Sequence, residues 1–150
     1  MRVHTVKINW SYPVRFENIY NKDSVYGIGI YCITRKFGAN KEKILYIGKT
    51  IDTFFNRLQS HEENWINNYR GTKFVRFGTI ISPQKIDNDF IEDVESALIY
   101  QLRPIHNQKK IKSYTYRTDY FVKLQSNGYR GTVIPEWIDA KTHLDETNIG

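Results

Sequence analysis

The sequence is short of the residues that staple or ligate. It holds one cysteine, Cys32, in 150 residues. No intramolecular disulfide can form, which fits a reducing compartment. With no second cysteine and only 4 histidines, the chain lacks the usual ligand set of a structural zinc site. No stretch approaches the roughly 20 apolar residues of a membrane helix. The start, Met1 to Lys7, has no apolar run of signal-peptide length. Repeats, low-complexity tracts and long Pro/Gly/Ser linkers are also absent. These absences predict a soluble, intracellular, cytoplasmic chain with no membrane partner.

What is present is apolar and aromatic. The apolar share of 40% suffices for one packed core. Tyrosine dominates the aromatics with 11 copies, and its ring can sit half-buried with the hydroxyl outward. The formal charge of +6 leaves two readings open, contact with a polyanion or simple solubility.

Alternation predicts a strand over residues 25–33, with Ile28, Ile30 and Cys32 on one face and Gly27, Gly29, Tyr31 and Ile33 on the other. Two glycines beside Tyr31 predict a bare face open to a ligand. A polar loop over 35–43 and a second strand over 43–48 complete a hairpin. Thr50 or Asp52 can cap a helix running to about Trp65, on which Arg57 and His61 are neighbours. Residues 73–81 predict a third strand. The strongest helix runs from Asp89 to Leu102, with the stripe Phe90, Ile91, Val94, Ala97, Leu98, Leu102 and a stop at Pro104. At about 100° per residue, Glu95 falls on the margin of that stripe, while Glu92 and Asp93 turn toward solvent. A carboxylate so placed must be paired, hydrogen-bonded or metal-bound.

Several of these residues form an ordered set. Gly29-Ile30-Tyr31 lies on one strand and Tyr46-Ile47-Gly48 on the next. Arg57 follows Gly48 by nine residues and His61 comes four later. Glu95 sits on a helix, and Asn107 follows it by twelve, behind Arg103-Pro104-Ile105. The set resembles the signatures of the GIY-YIG nucleases over about residues 25–108. One departure is the loop of fourteen residues between the two tyrosines, 32–45, longer than in the smallest members. The resemblance implies an α+β core, a small three-stranded antiparallel sheet flanked by helices. An N-terminal extension (1–24) and a C-terminal extension (109–150) would flank it, the latter as strands on the core or contacts to DNA.

The resemblance implies a metal-dependent DNA endonuclease that leaves 5′-phosphate and 3′-hydroxyl ends. Glu95 offers a hard oxygen to Mg²⁺, with Mn²⁺ as a substitute. Arg57 supplies a permanent fork-shaped cation for the phosphate. By resemblance Tyr31 is the general-base candidate. A free phenol titrates at about 10, so it would need positive charge nearby. Tyr46 would hydrogen-bond the phosphate or order water, and His61 would assist proton transfer. Gly29, Gly48, Lys49, Asn107, Lys109 and Lys110 are the expected substrate contacts, although Asn107 also fits as a residue fixing the end of the Glu95 helix. A compact restriction or defence-type cutter, dimeric to cut both strands, is the leading expectation. The alternatives are a structure-specific or single-strand nuclease, or a non-catalytic nucleic-acid-binding module of the same fold.

Overall fold

Period-2 alternation is plainest in the first described strand. In β1 (Val3–Trp10), Val6, Ile8 and Trp10 are buried while Thr5, Lys7 and Asn9 face outward. The computed structural model describes residues 3–21, 29–38, 41–50, 66, 69–82, 88–105, 107 and 121–139. After β1 come β2 (Val14–Arg15), a 3₁₀ turn (Phe16–Asn21), β3 (Gly29–Lys36), β4 (Lys43–Thr50) and β5 (Thr72–Ser82). Helix α1 (Asn88–Leu102), β6 (Phe121–Gly128) and β7 (Trp137–Asp139) complete the described elements.

The strands form one sheet in the order β4-β3-β5-β1-β6-β7, with β2 paired beside β1 on β5. All pairings are antiparallel except β1 with β6, which is parallel. This overturns the expected three-stranded antiparallel sheet flanked by helices. The sheet has seven strands of mixed direction, and the described residues include one α-helix. The expected trio β4-β3-β5 is only one side of it. The reason lies in β1: its apolar side needs a sheet to pack in, and the outer edge of β5 offers free backbone groups. β1 then presents its own far edge to β6. Residues 3–10 are therefore an interior strand of the sheet. The expected helix over about 52–65, with Arg57 and His61, lies outside the described residues, as do Lys109 and Lys110.

Each face of the sheet carries a covered apolar cluster, while the outward side of β1 stays exposed at Thr5, Lys7 and Asn9. One carries Val6, Ile8, Trp10, Ile30, Cys32, Ile47 and Leu124, and α1 packs on it through Ile91, Val94, Ala97, Leu98 and Ile99. The other carries Tyr31, Ile33, Val75 and Phe77 under Phe16, Ile19 and Ile66. The predicted bare face beside Tyr31 is therefore not bare, and Tyr31 is 0% exposed. Helix α1 is enclosed more fully than a single stripe requires. Asp93, expected to turn toward solvent, is buried, as are Glu95 and Ser96. A helical wheel orders residues around one contact plane and cannot show cover arriving from several sides. Arg103 adopts a left-handed φ of 49° directly before Pro104, and there the helix stops.

Candidate functional site

The hairpin β3–β4 places the two tyrosine motifs face to face. Tyr31 pairs with Gly48, Cys32 with Ile47 and Ile33 with Tyr46. The fourteen residues between the tyrosines lie mostly in the strands, which reach Lys36 and resume at Lys43. A register shift at Ile33/Thr34 leaves Leu45 as an extra residue on β4. Gly29 opens β3 at φ 143°, a backbone setting that favours glycine, opposite Thr50.

Directly opposed residues share a face, so Tyr31, Gly48 and Tyr46 lie together. Gly48 makes their arrangement possible. A Cβ there would stand 2.3 Å from Tyr31 Cζ and 2.8 Å from Tyr46 Cε1. The Tyr31 ring thus occupies the space that a side chain at position 48 would fill. The two rings stack with centroids 6.1 Å apart and planes 28° apart. Tyr31 is sealed and Tyr46 half-buried, so Tyr46 is the member of the pair that solvent reaches.

β4 is an outer strand, and its free edge is closed by the chain after α1. Ile105 N–H donates to Ile44 C=O at 3.3 Å. Asn107 does more: Ile47 N–H donates to its Oδ1 at 2.8 Å, and its Nδ2 donates to Ile47 C=O at 2.9 Å. One buried amide side chain so imitates a neighbouring strand at the centre of Tyr46-Ile47-Gly48. The expected role at the end of the helix gives way to a lock on the strand.

The remaining residues divide between the faces. Lys49, opposite Ile30, projects to the α1 side, away from Tyr46 and Gly48. Glu95 is buried on α1, whose flanking residues Ile91, Val94, Leu98 and Ile99 pack on that same side. Glu95 and Lys49 thus belong to the α1 face and the tyrosine pair to the other, with β4 common to both. Among the described residues no group of three or more His, Cys, Asp and Glu stands ready to hold a metal ion.

Sequence reasoning missed one polar centre. Arg76 on β5 is buried and binds Glu42 in a bidentate pair, Nη1 to Oε2 at 2.8 Å and Nη2 to Oε1 at 3.1 Å. Its Nε donates to Tyr129 C=O at 2.9 Å, and Thr34 Oγ1 donates to Glu42 Oε2. Burial alone would raise the Glu42 pKa. Hydrogen bonds from Arg76 and Thr34, with the charges of Arg76 and Lys36, outweigh it and hold the carboxyl below its ordinary range. Cys32 lies opposite Arg76 on the adjacent strand. Burial pushes its thiol up to about 12, against the pull of Arg76 and with a push from Glu42. This centre ties the hairpin turn to β5 and to the turn after β6. The sequence sign of it is an arginine set among Phe74, Val75 and Phe77.

No family model matches the chain, and neither a curated protein nor a solved structure matches it.

Proposed function

We propose that the chain is a metal-dependent DNA endonuclease of the GIY-YIG kind. One observation carries the reading: residues from 29–31, 46–48 and 107, separated in sequence, converge on one hairpin edge. Tyr31 and Tyr46 stack there over Gly48 while the Asn107 amide holds Ile47 between them. Such preorganisation suits a site whose work is positioning and charge stabilisation.

In this reading Tyr46 meets the phosphate, being the exposed member of the pair. Tyr31 stands behind it as the general base that the resemblance implies. Arg57 and His61 take the roles of phosphate clamp and proton-transfer partner that the resemblance gives them. Glu95 would hold the metal from the α1 face, so this reading requires the phosphate to meet both faces around β4, the strand they share. A single buried carboxylate completed by water and substrate phosphate suits Mg²⁺, which seldom uses an all-protein cage. When bound, the ion supplies Lewis-acid stabilisation of the leaving 3′ oxygen. Lys49 contacts the backbone, and a homodimer cuts both strands as a restriction or defence enzyme.

The test is incubation with plasmid, hairpin, branched and single-stranded DNA in Mg²⁺ or Mn²⁺, followed by sequencing of the ends. We expect 5′-phosphate and 3′-hydroxyl ends, with Glu95→Gln slowing cleavage at least about 10²-fold. Absence of cleavage on every substrate, or undiminished cleavage by Glu95→Gln, rejects the reading. The complete burial of Tyr31 favours a second one, a non-catalytic nucleic-acid-binding module, which expects salt-sensitive binding without turnover.

A further inference from the structure

The register places three cations side by side. Arg35 on β3 pairs with Lys43 on β4 and with Lys73 on β5. Directly opposed residues point to one face, so Lys43, Arg35 and Lys73 form a row across three adjacent strands, spanning roughly 10 Å. Alternation from Tyr31 through Ile33 to Arg35 puts this row on the tyrosine face, about 13 Å along β3 from Tyr31.

Like charges directly opposed destabilise a sheet. Among the described residues none of the three is in an ion pair, the pairs being Arg15 with Glu17 and Arg76 with Glu42. Lys43 is exposed, and Arg35 and Lys73 are half-exposed, so all three reach solvent where the apolar cover of that face stops. Arg35 is also held in place, its guanidinium 5.6 Å over the Tyr69 ring and 3.5 Å from Arg70 C=O. At its Lys73 end the row meets a cleft of about 220 Å³ whose lining includes the Arg15–Glu17 pair and Thr72. Like charges set side by side on adjacent strands are a cost in the free protein that an anionic partner removes.

We propose that the Lys43–Arg35–Lys73 row docks the phosphate backbone of duplex DNA and so positions it against the tyrosine pair. A duplex carries one negative charge per roughly 1.7 Å of axis, so the row faces several phosphates at once. The inference rests on the endonuclease reading only for the identity of the polyanion.

The test is equilibrium binding of a fluorescein-labelled 20-base-pair duplex to the full chain in EDTA, from about 50 to 200 mM salt. Each lost phosphate contact lowers the salt slope by about 0.9. The triple variant Lys43→Gln, Arg35→Gln, Lys73→Gln should lower it by about 2.7 and weaken binding on the order of 10³-fold at 50 mM. Exposed Lys7 on β1 lies outside the row, and Lys7→Gln should leave the slope unchanged. If the triple variant fails to fold, judged by its thermal melt, Lys43→Gln alone should lower the slope by about one. An unchanged slope, or a wild-type chain that does not bind the duplex, overturns the proposal. So does a variant that loses binding only to phosphatidylserine vesicles. Cleavage assays separate the two readings: an unchanged slope with intact metal-dependent cleavage sinks the row alone, and a lowered slope without cleavage sinks the endonuclease alone.

Discussion

Each face of the sheet seats an aromatic ring over a glycine, and the two faces use that device differently. On the α1 face Trp10 lies against Gly78 of β5, where a Cβ would stand 2.9 Å from Cζ3 and 3.0 Å from Cη2. On the other face Tyr31 lies against Gly48, where a Cβ would stand 2.3 Å from the ring. Trp10 is buried among aliphatic residues, and its Nε1 has no hydrogen-bond partner among the described residues. Tyr31 stacks on a half-exposed neighbour, beside a strand edge locked by Asn107. A glycine opposite an aromatic is therefore a packing device in itself. It becomes a candidate site only where one ring stays open and the backbone beneath is held.

The comparison can be broken most severely at Trp10. Trp10→Ala should cost about 3–5 kcal/mol by leaving a cavity in the α1 face, read as a large fall in the urea midpoint. Gly48→Ala should cost about 1–3 kcal/mol, because the sealed Tyr31 ring has little room to retreat. Gly78→Ala, with its looser contacts, should cost about 1 kcal/mol. If the faces differ as described, Gly48→Ala also depresses DNA cleavage and Gly78→Ala does not. Asn107→Ala should cost about 1–3 kcal/mol, since it strips both partners from the Ile47 backbone. It should weaken cleavage too, whereas Asn107→Ala with full activity would separate the lock from the site.

Acid sharpens the contrast further. The folded pKa of Glu42 lies below its ordinary value of about 4.5. The unfolded chain thus binds more protons between the two values, and stability rises with pH across that window. The Glu42 contribution is complete above about 4.5 and is lost as pH falls through the folded pKa. Glu42→Gln should flatten this acid limb in urea titrations from pH 7 to 3. The smallest effect concerns Cys32. A buried thiol pushed up to about 12 should resist a thiol-specific reagent at pH 8 until urea unfolds the chain.

The hairpin, β5 and α1 were legible because their patterns are local. Ile30 and Cys32 against Tyr31 and Ile33 fix two faces, and Ile91, Val94, Ala97 and Leu98 fix a stripe. The same alternation stood in Val6, Ile8 and Trp10, yet nothing local says that β1 joins the interior of the sheet. That depends on pairing with β5 and β6, far along the chain. The Glu42–Arg76 pair hides for the same reason: its two charges are read separately until β3 and β5 meet. Within the candidate site the motifs announced Tyr31, Tyr46 and Gly48. The burial of Tyr31 and the strand-locking role of Asn107 follow only from knowing which strand is outermost.

The parallel pairing of β1 with β6 also bears on the order in which the molecule can be made. Val3 meets Phe121 and Trp10 meets Gly128, so β1 waits for a strand made more than a hundred residues after it. Synthesis of the roughly 110 intervening residues takes on the order of 5–20 s. Through that interval one edge of β1 has no partner from its own chain, and such an edge invites pairing with another copy. Slow translation or a truncated product should therefore aggregate through β1, and a chaperone that grips extended apolar strands would find its first hold at Val6, Ile8 and Trp10.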